Sequence, residues 1–146
     1  MAKKQSAGLL MYRRRSGALE VLLVHPGGPL WAGKDVGAWT IPKGEIAEGE
    51  APFVAACREF AEETGLTAQG PFVALTPIRQ RGGKLVHAWA FAGDCDVGAV
   101  RSNTFVMQWP PRSGKMAEFP EVDRAEFFVV GVAVGKINVR SEEHTS

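Results

Sequence analysis

Residues 44–66, Gly44-Glu45-Ile46-Ala47-Glu48-Gly49-Glu50-Ala51-Pro52-Phe53-Val54-Ala55-Ala56-Cys57-Arg58-Glu59-Phe60-Ala61-Glu62-Glu63-Thr64-Gly65-Leu66, decide how this chain is read. The stretch 51–64 carries the one strong helix signal. Pro52 falls in the first turn, where its missing N–H costs little, and Gly65 follows the end as a C-cap. At about 100° per residue, Phe53, Ala56, Cys57, Phe60 and Thr64 share one face. Glu59, Glu62 and Glu63 fall on the other, spaced i, i+3 and i+4, so their carboxylates converge over one turn. Arg58 reaches Glu62 at i+4 and relieves part of the repulsion. Taken alone, such a face is an ordinary solvated one. The loop in front changes that, because Gly44 removes a side chain where the backbone turns and Glu50 stands just ahead of the helix.

Outward from the helix the chain reads as strands. Residues 6–12 (SAGLLMY) and 19–25 (LEVLLVH) are apolar runs, and Arg13-Arg14-Arg15-Ser16-Gly17 between them reads as a solvated hairpin turn. The Gly- and Pro-rich stretch 26–37 is a loop, 39–42 a short strand closed by Pro42, and 43–50 a polar loop. Past the helix, 72–80 and 84–92 form a hairpin around Arg81-Gly82-Gly83. Then come a strand at 104–109, a loop at 110–120, and a strand at 125–130 running into a short helix near 132–137. Hairpin-joined strands with helices inserted at two points predict an α+β domain, a mixed sheet layered between helices.

The bulk numbers agree with one such domain. The chain has 146 residues, 45% hydrophobic and 23% charged. A net charge of +1, from 17 basic and 16 acidic residues, gives no broad basic face, so nucleic acid is not expected as a partner. No apolar run approaches the length that spans a bilayer, and no signal-peptide core follows the basic N-terminus. A cytoplasmic protein with no membrane partner is therefore expected. Two cysteines make no disulfide framework, and Cys57 reads as a buried thiol. His25 and His87 lie in strand patterns, as core or rim residues, so no soft-metal cluster competes with the carboxylates.

Gly44, Glu50, Arg58, Glu59, an apolar Phe60, Glu62, Glu63, Gly65 and an apolar Leu66 resemble the signature of the Nudix hydrolase family at every defined position. Outside that box the resemblance is one of element order, over residues 6–137. It implies a Nudix-type α/β/α sandwich and metal-dependent hydrolysis of a phosphoanhydride bond in a nucleoside diphosphate derivative. It also implies Mg²⁺ or Mn²⁺ as cofactor. Glu59, Glu62 and Glu63 are the implied metal ligands, with the Gly44 carbonyl completing a site, and Arg58 orients the carboxylates. Glu50 is implied as a supporting acid. Glu118 and Glu121 are candidates for an additional base or ligand beyond the box. The chemistry suits the residue types: hard cations prefer oxygen ligands, and bound metal screens phosphate charge and acidifies water.

The partner expected is a small nucleotide. The string Trp39-Thr40-Ile41-Pro42-Lys43-Gly44 is similar to that of Nudix enzymes acting on dinucleoside polyphosphates, with Lys43 near an additional phosphate. Trp31, Trp89, Trp109 and Phe105 are available to stack on a base. Trp31 and Trp109 border loops and are the better candidates for a pocket rim, whereas Trp89 reads as core. A nucleoside triphosphate, a dinucleoside polyphosphate and a nucleotide sugar remain open, as does the oligomeric state. Two rivals stand beside the enzyme: a nucleotide-sensing Nudix module without catalysis, and a hydrolase inactivated because its last helical layer, residues 129–139, is short. Residues 140–146 (RSEEHTS) match the translation of a common sequencing adaptor. The expected division is a Nudix domain over 1–139 and a non-native tail over 140–146, the alternative being an ordinary polar tail.

Overall fold

The computed structural model describes residues 4–79 and 83–137. Its strands are β1 (Gln5–Arg15), β2 (Ala18–Pro26), β3 (Lys43–Glu45), β4 (Val73–Ala74), β5 (Ile78–Arg79), β6 (Leu85–Ala92), β7 (Thr104–Gln108), β8 (Met116–Pro120) and β9 (Val122–Val129). Two helices, α1 (Pro52–Thr64) and α2 (Val130–Lys136), and a 3₁₀ turn at Val97–Ala99 complete the set. The main sheet runs β4-β6-β1-β2-β9, with β3 also on β1 and β5 also on β6. β1 and β6 are parallel and the other pairs antiparallel, so the sheet is mixed as expected.

Alternation along the central strands sorts side chains to two faces. Ala7, Leu9 and Met11 of β1 and Leu22 and Val24 of β2 pack with Ala55, Ala56 and Phe60 of α1. The intervening positions, Leu10, Tyr12, Val21 and Leu23, pack with Trp39, Phe128 and Ala133 of α2. Thus α1 covers one face and α2 the other. The helical face expected of α1 is the buried one, with Ala55 added to it. Gly65 ends the helix in the left-handed region, its N–H donating to the Ala61 carbonyl at 2.8 Å.

Several expectations change. The β1–β2 turn is only Ser16-Gly17, both at positive φ, which matches the twist of a tight hairpin. The arginines therefore belong to the strand. Arg13 donates to Glu20 and Asp94, both at 2.7 Å, and stacks on Phe127. The strand expected at 39–42 reduces to single bridges, Val24 with Thr40 and Trp39 with Ile137, while the expected polar loop contains β3. The strand at 72–80 breaks into β4 and β5. The loop at 110–120 contains β8, which pairs with β7 as a separate two-stranded ribbon. Arg81 and Gly82 of the expected glycine turn, and the whole tail at 140–146, lie outside the described residues.

Candidate active site

The site is built where β1 changes partners. β1 pairs with β2 only over Tyr12–Arg15, and with β3 over Ser6–Gly8. Between these ladders β1 and β2 part, and residues 40–42 fill the gap. Val24 N–H donates to the Thr40 carbonyl at 2.8 Å, and Leu9 N–H to the Pro42 carbonyl at 3.2 Å. This anchors β3 directly beside α1. Gly44 has no positive φ, so what it supplies is space: a Cβ there would overlap the Glu59 carboxylate.

Arg58 organises the acids around it. Its Nε and Nη2 donate to the two oxygens of Glu50, at 2.8 and 2.9 Å. Its Nη1 donates to Glu59 at 2.9 Å and to Glu62 at 3.2 Å. Nη2 also reaches the Glu45 carbonyl at 3.1 Å, which ties the helix to the β3 end of the loop. Glu50 further accepts the Ala47 N–H at 2.9 Å. These bonds, above all those from Arg58, hold the Glu50 carboxyl down at about 2.

Glu59 and Glu63 are in the opposite electrostatic condition. Burial raises the Glu59 carboxyl despite Arg58. Glu63 is pushed up to about 8, first by burial and then by Glu59, with Glu121 adding to it. Its Oε1 accepts the Lys43 N–H at 3.2 Å. Burial, with Lys84 nearby, lowers the Lys43 ammonium from its ordinary range, while Glu63 and Glu59 oppose that shift. Lys43 is thus placed among the acids.

The two outlying acids separate. Glu121 is pinned by its backbone: its N–H donates to the Asn103 carbonyl at 2.9 Å, and its carbonyl accepts the Gly27 N–H at 3.0 Å. Asn103 N–H in turn donates to the Glu62 carbonyl at 2.8 Å. Burial raises the Glu121 carboxyl and Glu62 raises it further, so Glu121 belongs to the acidic cluster. Glu118 does not; it projects from β8, exposed, and accepts from the Thr104 hydroxyl. Trp31 borders a cleft shared with Glu121. Trp109 lies at the far, turn end of the ribbon, where its N–H donates to the Lys115 carbonyl. It does not line that cleft.

Sequence reasoning gave His25 only a core or rim place. It is fully buried, with Nδ1 2.8 Å from the Asp123 carboxylate and Nε2 2.6 Å from the Lys34 carbonyl. It ties the 26–38 loop to the start of β9, two residues from Glu121. His87 bonds Gln5 at 2.8 Å, on the rim.

The donor set suits a hard divalent cation. It consists of oxygens, five carboxylates (Glu50, Glu59, Glu62, Glu63 and Glu121) gather around the cations Arg58 and Lys43, and the notch at Gly44 admits the Glu59 carboxylate. As placed, Glu50, Glu59 and Glu62 turn toward Arg58 while Glu63 turns to the Lys43 N–H, and among the described residues no three acidic, imidazole or thiol groups already share one point.

Comparison with known proteins places these features in a family. The NUDIX domain model matches residues 2–133. An RNA pyrophosphohydrolase of Cereibacter sphaeroides is 40% identical over 82 residues, covering 53% of this chain and 49% of its own. An asymmetrical bis(5'-nucleosyl)-tetraphosphatase of Caenorhabditis elegans is 37% identical over 65 residues, covering 44% of this chain and 43% of its own. The chain spans about half the length of the first of these relatives and less of the second. Among solved structures, the NUDIX domain of Shewanella oneidensis NrtR, complexed with ADP ribose, superposes with a TM-score of 0.63 at 15% identity, over 96% of this chain and 82% of that one. A C. elegans Ap4A hydrolase binary complex gives 0.57 at 23%, over 90% and 83%.

Proposed function

The chain belongs to the NUDIX family, and from that premise we propose that it is a divalent-metal-dependent pyrophosphohydrolase that cuts a phosphoanhydride bond in a nucleoside diphosphate derivative. The observation that carries this reading is the half-buried acidic cluster. Glu59 and Glu63 are kept close together with the Gly44 notch at Glu59, while Arg58 braces Glu50, Glu59 and Glu62. Burying like charges side by side is costly unless something positive completes the site.

Glu59, Glu62, Glu63 and the Gly44 carbonyl would hold Mg²⁺, or Mn²⁺. The metal, when bound, supplies charge to offset the phosphates and a more acidic water. Arg58 keeps the carboxylates oriented, and Glu50 anchors Arg58 to the loop before α1. Lys43 offers its ammonium to a phosphate beside Glu63. In this reading Glu121 is the acid beyond the box that would accept the proton of an attacking water. Glu118, on the ribbon, has no part in this reading.

Among substrates, a nucleoside triphosphate or a dinucleoside polyphosphate is favoured, and the tetraphosphatase relative supports the latter. The RNA pyrophosphohydrolase relative gives a second reading, in which the same cluster cuts the 5'-triphosphate of an RNA. No helix among the described residues is long and apolar enough to cross a membrane. Cys57 and Cys95 are both free, which accords with a reducing cytoplasmic setting.

Product release should be measured with Mg²⁺ across triphosphates, dinucleoside polyphosphates, ADP-ribose, nucleotide sugars and 5'-triphosphorylated RNA. One class is expected to turn over. Glu63→Gln should lower that turnover about a hundredfold or more, the upper end of what losing even an outer-shell partner costs a metal site, with the fold intact. Near-normal turnover by a folded Glu63→Gln protein would refute the assignment. A folded wild-type protein that cleaves nothing would favour a binding module.

A further inference from the structure

We propose that β9 is a dimerisation edge: two copies of this chain join their sheets antiparallel along residues 123–127, in a register centred on Ala125. The proposal does not depend on the hydrolase reading.

The main sheet ends in two unlike edges. At one, β4 and β5 are two residues each, and Pro71 and Pro77 stand beside them. Short strands and proline blunt an edge against further pairing. At the other, β9 runs for eight residues, pairs with β2 on one side only, and contains no proline or lysine.

The outer side of β9 is covered at its start. Val122 N–H donates to the Ser102 hydroxyl at 3.0 Å, and Glu121 N–H to the Asn103 carbonyl at 2.9 Å. Among the described residues, the backbone of 124–129 bonds only within the β2–β9 ladder and to α2.

A groove follows that uncovered length. Its lining takes Val122, Asp123, Arg124, Ala125 and Glu126 in succession, and a second hollow sharing Val97 and Glu126 carries it on to Phe127. A hollow over one face of a sheet would take alternate residues. Consecutive residues line this one, so it lies beside the edge, where a next strand would run.

The side chains there match a second copy of themselves. Ala125 and Phe127 turn to the α1 core, whereas Arg124 and Glu126 share the other face with Trp39 and Phe128, exposed. The acid contact of Arg124 is a 4.0 Å approach to Asp123, and among the described residues Glu126 has no cationic partner. With Ala125 opposite the partner's Ala125, Arg124 faces the partner's Glu126 and Glu126 faces the partner's Arg124. Two cross-strand ion pairs result. Slipping one step either way sets Glu126 against Glu126 or Arg124 against Arg124. Like charges directly opposite destabilise a ladder, so of the three registers the one centred on Ala125 is favoured. It also leaves Val122, already held by Ser102, outside the ladder. One strand pairing with its own copy gives a closed two-fold contact.

The test reverses charge. Sedimentation velocity of the full chain over about a hundredfold range of concentration, which spans two decades of Kd, should show a monomer–dimer equilibrium. Arg124→Glu and Glu126→Arg each set like charges at both crossings and should weaken dimerisation about tenfold or more. The double variant, Arg124→Glu with Glu126→Arg, exchanges the charges and should dimerise like the wild type. The two single variants should pair with each other when mixed, since one then carries two acids at the crossings and the other two arginines. Circular dichroism and melting temperature check that each variant is folded, because Arg124 also lies over the Trp39 ring, 5.1 Å from its centroid. Recovery in the double variant or in the mixture supports the edge. A wild type that stays monomeric throughout the range would overturn it. So would a dimer that either single variant leaves intact, or one that neither the double variant nor the mixture recovers.

Discussion

At the scale of single residues, the site joins two opposite electrostatic conditions, one in the loop before α1 and one on the helix. Glu50 is bonded to a guanidinium and stays ionised, whereas Glu63, one turn beyond Arg58, is half-buried and pushed up to about 8. The second condition carries a pH dependence. Without metal, the folded protein holds a proton on Glu63 that the unfolded chain releases above its ordinary value of 4.5. The folded state binds more protons between the two values, so stability falls as pH rises from about 5 to about 8. Glu59 and Glu121, raised mainly by burial, act in the same direction. Melting temperature in chelator should therefore decline across that range, and Mg²⁺ should flatten the decline. A melting temperature that climbs from pH 5 to 8 in chelator would contradict the placement of Glu63. Gly44→Ala probes the adjacent notch. Its Cβ would displace the Glu59 carboxylate, so turnover should fall about 10- to 100-fold, the cost of disturbing support around a metal site, while the melting temperature changes little.

At the scale of elements, α1 was the most legible part of the sequence because its signals are local. Pro52, Gly65 and the period of Phe53, Ala56 and Phe60 specify start, end and buried face within one run of chain. β3 and β8 were less legible. β3 is three residues long and exists because β1 leaves β2 and offers an unpaired edge. β8 alternates Met116, Ala117, Glu118, Phe119 and Pro120 inside a stretch rich in turn residues, and becomes a strand by pairing with β7. The same pairing separates the two outlying acids: Glu118 falls within the ribbon and Glu121 just past its end. The 26–38 loop is likewise held by a distant group. His25→Ala would remove both of its side-chain bonds and leave Asp123 and the Lys34 carbonyl without their partner. A loss of about 2 kcal/mol is expected, read by urea unfolding. If the loop presents Trp31 to substrate, KM should rise more than kcat falls; the reverse pattern would place His25 in support of the acids instead.

At the scale of the whole molecule, the sheet separates two cores, and the site belongs to only one of them. The α1 side holds Phe60 and Phe91 edge to face, 5.5 Å apart, beneath the acidic helix face. The α2 side is thin: Ala133 meets Val21, Leu23 and Trp39, while Val130, Val132 and Val134 remain exposed. Ala133→Asp would bury a carboxylate there with no partner and should cost about 2 kcal/mol or more. The melting temperature should drop, and the molecules still folded at low temperature should keep near-normal KM, since no residue of the site is touched. A large rise in KM would mean the two layers are coupled. The sequence by itself determined the carboxylate helix, the Gly44 and Glu50 positions before it, the mixed α+β architecture and the family, because these are written as local period and fixed spacing. Only the tertiary structure decided that Glu121 rather than Glu118 joins the cluster, that Trp31 and Phe105 face one cleft while Trp109 does not, and that His25 ties the loop down. Those relations join residues up to about a hundred positions apart. They depend on strand registers and a parted β1–β2 edge, which no local pattern encodes.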